Sequence, residues 1–233
     1  MLDVSHVTKK YKKTVACNDA SLQIQDGKIG ILLGPNGAGK STIIKCITGF
    51  LKYDGQILID GLNNKSVDAK RLIGYVPEIP SLYPNLTVEE HLEFVARAYK
   101  LKDYKEYMNE LLDRFELSYK RGKFGDELSK GMKQKLSVCC GLITKPKLII
   151  FDEPMIGLDP HAIKELKLVF KELAGEGATV LISTHMIDSI DDLWDVTYIM
   201  QEGNIKACVK REDEAYGRHL EDIFFEITEG QVQ

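Results

Sequence analysis

The stretch Gly34-Pro35-Asn36-Gly37-Ala38-Gly39-Lys40-Ser41-Thr42 reads G-x-x-x-x-G-K-S, and it constrains this chain more than any other. The apolar run Ile29 to Leu33 precedes it as a buried strand would, and Thr42 to Thr48 can begin a helix. Glycines let the backbone curl until successive N–H groups point inward, and the emerging helix adds the positive end of its dipole. The product is an anion nest.

Lys40 supplies a cation suited to the β- and γ-phosphates of a nucleotide, and the Ser41 hydroxyl suits Mg²⁺, a hard ion that takes oxygen ligands. Asn36, Gly37, Ala38, Gly39, Lys40, Ser41 and Thr42 are therefore the candidate nucleotide contacts. A glycine-rich turn followed by a chance Lys-Ser is the competing reading. The match at every fixed position, between strand and helix, argues against it. The loop alone does not separate one class of nucleoside triphosphatase from another.

At 233 residues the chain can form one domain with a subdomain, and its length excludes tandem copies. A net charge of −4 and a pI near 5.8 argue against binding nucleic acid through overall charge. Cys17, Cys46, Cys139, Cys140 and Cys208 contain no C-x-x-C pair, so buried thiols in a reducing compartment are expected. No basic leader with an apolar core is visible, and no apolar run approaches the roughly 20 residues that span a bilayer as a helix. A chain soluble by itself is the expectation.

Leu2, Val4 and His6 alternate with Asp3 and Ser5, and Ala20, Leu22 and Ile24 alternate likewise, predicting an opening antiparallel pair. Between them lies Lys9-Lys10-Tyr11-Lys12-Lys13. There Tyr11 is either an adenine-stacking ring among cations or part of an exposed basic turn. Gln56 to Asp60 and Arg71 to Val76 read as short strands around turn material at Asn63-Asn64, and Pro77 to Pro84 interrupts regular structure.

Thr87-Val88-Glu89-Glu90 has capping-box spacing, with Val88, Leu92, Val95 and Tyr99 on one helical face. Tyr104, Met108, Leu111, Leu112 and Phe115 form a second face. A third helix starts near Ser129, with Met132, Leu136, Cys139, Cys140 and Ile143 together and Lys133 and Lys135 pointing away. Leu148 to Phe151 and Thr179 to Ile182 are apolar runs separated by a helix from Pro160, a βαβ unit. A hairpin over Val196 to Met200 and Asn204 to Val209 and a helix over Leu220 to Ile227 close the chain.

Asp152 and Glu153 follow a buried strand, and ligands of open α/β sheets gather at such strand ends. Asp152 is placed to hold Mg²⁺, and Glu153 to accept a hydrogen bond from an attacking water. With these residues in view, the chain resembles the ATP-binding cassette (ABC) transporter ATPase subunit over essentially its whole length. Phosphate loop, signature, Asp-Glu strand end and switch histidine occur in that family's order.

The resemblance implies an α/β P-loop NTPase with a RecA-like core, an antiparallel β subdomain and a helical signature subdomain. Residues 1–84 and 145–233 would form the core with its β subdomain, and 85–144 the helical subdomain. The stretch Leu128-Ser129-Lys130-Gly131-Met132-Lys133-Gln134 stands where the family has a signature close to L-S-G-G-Q. It departs from that signature at Lys130 and Met132. The resemblance further implies that Ser129, Lys130, Gly131 and Met132 act in trans, completing the site of a second cassette arranged head to tail. Ser129 also has a local explanation as a helix N-cap.

By the same resemblance Tyr11 stacks on adenine, His185 contacts the γ-phosphate, and Asp159 in Gly157-Leu158-Asp159 is a dimer contact. Asp159 before Pro160 is equally an N-cap followed by an N1 proline. Glu78 occupies the coupling-loop position where the family usually carries Gln, and it is a further oxygen donor toward Mg²⁺. Ile79, Leu82, Tyr83 and Leu86 would help receive a segment of a separate transmembrane permease.

ATP and Mg²⁺ are the implied ligands. The implied partners are a second ABC ATPase subunit, identical or not, and permease subunits at the cytoplasmic face of the membrane. The signature's form and the short chain look more like exporters of drugs, antibiotics, peptides, polysaccharides or ions. A non-transport cassette ATPase would bring tandem cassettes or a coiled-coil insertion, and a regulatory ATP-binding module would not need both Glu153 and His185.

Overall fold

The computed structural model describes residues 1–190, 192–212 and 219–230. Two sheets share the helix that follows the glycine loop. The first is antiparallel, in the order β2-β1-β4-β5, from β1 (Leu2–Tyr11), β2 (Thr14–Ile24), β4 (Asp54–Ile59) and β5 (Leu62–Asn63). The second runs β10-β9-β3-β8-β7-β6, from β3 (Ile29–Leu33), β6 (Ile73–Val76), β7 (Leu148–Asp152), β8 (Thr179–Thr184), β9 (Val196–Gln201) and β10 (Asn204–Lys210). It is parallel except for the β9–β10 hairpin at its edge.

The central strands are apolar on both faces because both are covered. Leu32, Leu148, Ile150 and Leu181 pack with Ile43, Ile44 and Ile47 of α1 (Lys40–Ile47) and with the antiparallel sheet. Their neighbours Ile31, Leu33, Ile149, Phe151, Val180 and Ile182 face the opposite side. There they meet α3 (Val88–Ala98), α4 (Lys105–Arg114), α5 (Lys130–Leu142) and α6 (Pro160–Gly175). Period-two alternation thus splits each strand between two cores. The C-terminal helix α7 (Leu220–Glu229) adds Leu220 and Phe224 to the second.

The capping box forms as expected: Thr87 Oγ1 accepts from Glu90 N at 3.2 Å, and Glu90 Oε2 accepts from Thr87 N at 2.8 Å. Asp159 caps α6 ahead of Pro160, accepting from Ala162 N at 2.9 Å. Such caps contribute about 1 kcal/mol each.

Three local expectations change. His6 does not continue the apolar face of β1: it is exposed at φ 54°, a bulge shifts the register between Val4 and Val7, and Val7 takes the inward place. His6 Nδ1 instead meets Asp19 Oδ1 at 2.8 Å. A short helix, α2 (Val67–Arg71), capped by Ser66, occupies part of the stretch expected to be turn. Asn64 is fully buried, its amide donating to Cys46 O and Ile47 O at 2.8 and 2.9 Å while Tyr53 donates to its oxygen. It satisfies carbonyls that α1 leaves open at its C-terminus.

The third correction concerns Lys135. It does not point to solvent with Lys133 but is nearly buried, its ammonium 3.2 Å from Asp159 Oδ2 and 3.3 Å from Glu116 Oε2. The aliphatic stem lies along α5 while the charge reaches two carboxylates, so helical periodicity misplaces it.

Candidate active site

The glycine loop leaves β3 at Gly34, whose position tolerates no side chain: a Cβ there would lie 2.1 Å from Met200 O of β9. At the far end Gly39 adopts φ 108°, and a Cβ would meet Ala16 O at 2.5 Å. The first glycine lets the loop pack against the sheet, and the last turns the chain into α1. Gly203 N donates to Ala38 O at 2.9 Å, fastening the loop to the β9–β10 turn.

Beside this loop opens a cleft of about 570 Å³. Asn36, Gly37, Gly39, Lys40, Ser41, Thr42, Glu78, Glu153 and His185 line it. Ala38 is buried behind the loop, its N–H donating to Pro35 O at 3.1 Å.

Lys40 Nζ folds under the loop, donating to Gly34 O at 2.7 Å and Pro35 O at 3.2 Å, and lies 3.3 Å from Glu153 Oε1. The same carboxylate oxygen lies 3.0 Å from His185 Nδ1. Glu153 is therefore a nearly buried acid held between a cation and an imidazole. Its backbone sits at φ 48°, where a residue with a side chain is held under strain. Its N–H donates to Ser183 O at 3.1 Å, which fixes it at the end of β7 against β8.

Asp152 accepts from Ser183 Oγ at 2.5 Å and from Ser41 Oγ at 3.3 Å. The Tyr75 hydroxyl is held protonated well above its ordinary range, first by burial and then by the charges of Asp152 and Glu78. Hydroxyl and carboxylate oxygens are the donors a hard divalent cation prefers. Among the described residues no group of three or more His, Cys, Asp or Glu side chains could hold a metal alone.

Other expected site residues lie elsewhere. Tyr11 is at the tip of the β1–β2 hairpin, half exposed and outside the cleft lining, with Lys9 Nζ 5.0 Å from its ring centroid. Ser129 is exposed and caps α5 through Met132 N at 3.3 Å; Lys130, Gly131 and Met132 form the helix's first turn, also outside the cleft. Asp159 is bound to Lys135, not to the cleft, and its carboxyl is held below the ordinary range by the Ala162 N–H, with Lys135 adding to it.

The sequence did not point to Thr14, Val15, Ala16, Ile156, Glu202 or Gly203, which complete the lining. Glu202-Gly203 carried a signal only as a hairpin turn; its approach to Gly39 arises from strand order. Ser183, within Ser183-Thr184-His185, gave no hint that its hydroxyl would serve Asp152.

A second groove, of about 450 Å³, lies between the sheet and the helices. Phe50, Tyr75, Leu82, Tyr83, Phe94 and Tyr99 form its apolar wall. Ile79 and Tyr83 are exposed, Leu82 and Leu86 half-buried. Buried His91 fixes the loop here: its Nε2 accepts from Tyr83 N at 2.9 Å and its Nδ1–H donates to Thr87 O at 2.7 Å.

The family described as "ABC transporter" matches residues 17–156. The lantibiotic transport ATP-binding protein SrtF of Streptococcus pyogenes is 34% identical over 225 residues, covering 96% of each chain. The SkfA peptide export ATP-binding protein SkfE of Bacillus subtilis (strain 168) is 34% identical over 208 residues, covering 88% of this chain and 87% of its own. A solved structure of an ATP binding subunit of an ABC transporter superposes with a TM-score of 0.91. It is 34% identical and covers 97% of this chain and 99% of that one.

Proposed function

The chain belongs to the ABC transporter family as an ATP-binding, ATP-hydrolysing subunit, and on that premise we propose how its residues divide the work. The observation that carries the proposal is Glu153, a buried carboxylate shared by Lys40 and His185 at the mouth of the glycine loop. Lys40 and the loop N–H groups receive the β- and γ-phosphates, which offer the ammonium stronger partners than the neutral Gly34 and Pro35 carbonyls. Glu153, relieved of that cation, accepts a hydrogen bond from the attacking water, and His185 orients the carboxylate and reaches the γ-phosphate.

Ser41, Asp152 and Glu78 would hold Mg²⁺, which supplies charge neutralisation of the phosphates when bound. Tyr11, at its hairpin tip, stacks on adenine. Residues 85–144 form the unit that carries the signature, against a core of 1–84 and 145–233.

Ser129, Lys130, Gly131 and Met132 belong to the facing site of a second cassette, with Asp159 at the contact between the two. One chain carries both the Glu153 side and the Ser129 side, so two copies suffice to make two complete sites. The apolar groove at Tyr83 and Phe94 takes a cytoplasmic segment of a separate permease. No helix among the described residues is long and apolar enough to cross a membrane. The chain accordingly works at the membrane's cytoplasmic face through that partner. Likeness to SkfE and SrtF supports export, with a peptide as cargo.

Phosphate release across a Mg²⁺ titration tests the metal set. Glu78 brings a full negative charge to a place where an amide oxygen would serve. Replacing it by Gln is expected to raise the Mg²⁺ concentration for half-maximal turnover by about tenfold. An unchanged Mg²⁺ curve in Glu78→Gln would remove Glu78 from the metal's surroundings.

A further inference from the structure

The loop Pro154–Asp159 joins the catalytic strand end to α6 and is weakly held within itself. Ile156 N donates to Glu153 O at 3.4 Å and Leu158 N to Met155 O at 3.3 Å, both long. Its fixed points lie outside it. The loop rests on the first turn of α5: a Cβ on Gly157 would lie 3.2 Å from Lys130 Cε, and one on Gly131 would lie 3.2 Å from Gly157 O. Asp159 then uses its two oxygens separately, Oδ1 capping α6 and Oδ2 meeting Lys135 of α5 at 3.2 Å. Lys135 also meets Glu116 at 3.3 Å, which joins the end of α4 to the same point.

A nearly buried lysine is costly, and an apolar side chain of the same length would pack there without needing two carboxylates. What the charge adds is direction: it fixes Asp159, six residues from Glu153, against the second turn of α5, the helix whose N-cap is Ser129 and whose first turn carries Gly131. We propose that Lys135 is a positioning residue for hydrolysis, tying the Pro154–Asp159 loop to the helix that begins with the signature turn of its own chain. The Glu153 carboxylate and the turn offered to the partner then keep one fixed relation. The inference rests on the reading of Glu153 as the water-activating group.

The test is steady-state phosphate release with ATP binding measured separately. Lys135→Met keeps the packing stem and loses the charge. It is expected to lower kcat by about tenfold while the Kd for ATP stays within about twofold. Lys135→Arg restores kcat. Asp159→Asn, which retains a good N-cap and loses the ion pair, reproduces the loss, and the double variant is no slower than the slower single one. Arg114→Met removes the pairs to Glu165 and Glu172 that join α4 to α6 farther along that helix. It leaves kcat near native.

Native kcat in Lys135→Met, losses that add in full with Asp159→Asn, or an equal loss in Arg114→Met would each overturn the proposal. Glu153→Gln, run alongside, separates the two levels. If it is inactive while Lys135→Met is native, only the inference fails. If it keeps native turnover, the reading of Glu153 fails and takes the inference with it.

Discussion

A Glu153→Gln chain binds ATP and releases phosphate at least about a hundredfold more slowly than the native chain, the usual worth of a positioned general base. The amide keeps the shape of the carboxylate and its contact with His185, whose Nδ1 lies 3.0 Å from Oε1, but it cannot take a proton from water. Lys40 loses a buried counter-charge and keeps its bonds to Gly34 O and Pro35 O, so the loop retains its form. Removing a negative charge beside the γ-phosphate favours ATP, so the Kd is expected to stay the same or fall. Equilibrium ATP titration beside single-turnover hydrolysis separates the two effects. Normal turnover in this variant would remove Glu153 from the chemistry.

Lys40→Met is expected to fail one step earlier. Its ammonium contributes a charge-assisted bond to phosphate worth about 1.5–3 kcal/mol, which weakens ATP binding about ten- to hundredfold. A second effect appears without nucleotide. Glu153 is as buried as Lys40 and, among the described residues, keeps only His185 as an ion-pair neighbour of potential positive charge, so the variant is expected to melt at a lower temperature than the native chain. ATP titration and thermal melting of the same preparation check both. Native ATP affinity in Lys40→Met would contradict the placement of the phosphates.

Much of the fold is legible because its signals are local. Ile29 to Leu33, Leu148 to Phe151 and Thr179 to Ile182 announce strands buried on both faces, and Thr87 with Glu90 announces the start of α3. The phosphate loop and the Asp152-Glu153 pair are legible for the same reason, since their chemistry is written in consecutive residues. What escapes is set by distant parts of the chain. Gly203 comes to the glycine loop because β9 lies next to β3 in the sheet, and Ala16 of β2 because its strand is held against the Gly203 turn, where Asn18 N donates to Gly203 O at 2.8 Å.

Lys135 obeys helical spacing as a polar residue and is then captured by Glu116 and Asp159. Asn64 looks like turn material and is a satisfied buried amide under α1. His6 follows the alternation of its strand until a bulge turns it outward. In each case a contact over many residues overrides a period read over a few.

On the proposed division of work, the loop from Gly34 to Thr42 binds phosphate from one side and a second copy closes the other with Ser129 and Gly131. The molar mass of the Glu153→Gln chain in sedimentation equilibrium, with and without ATP and Mg²⁺, tests this most directly. One chain of 26.3 kDa without nucleotide and a mass twice that with it is the predicted result. A chain that remains at 26.3 kDa when saturated with ATP and Mg²⁺ would contradict a site completed by its own second copy.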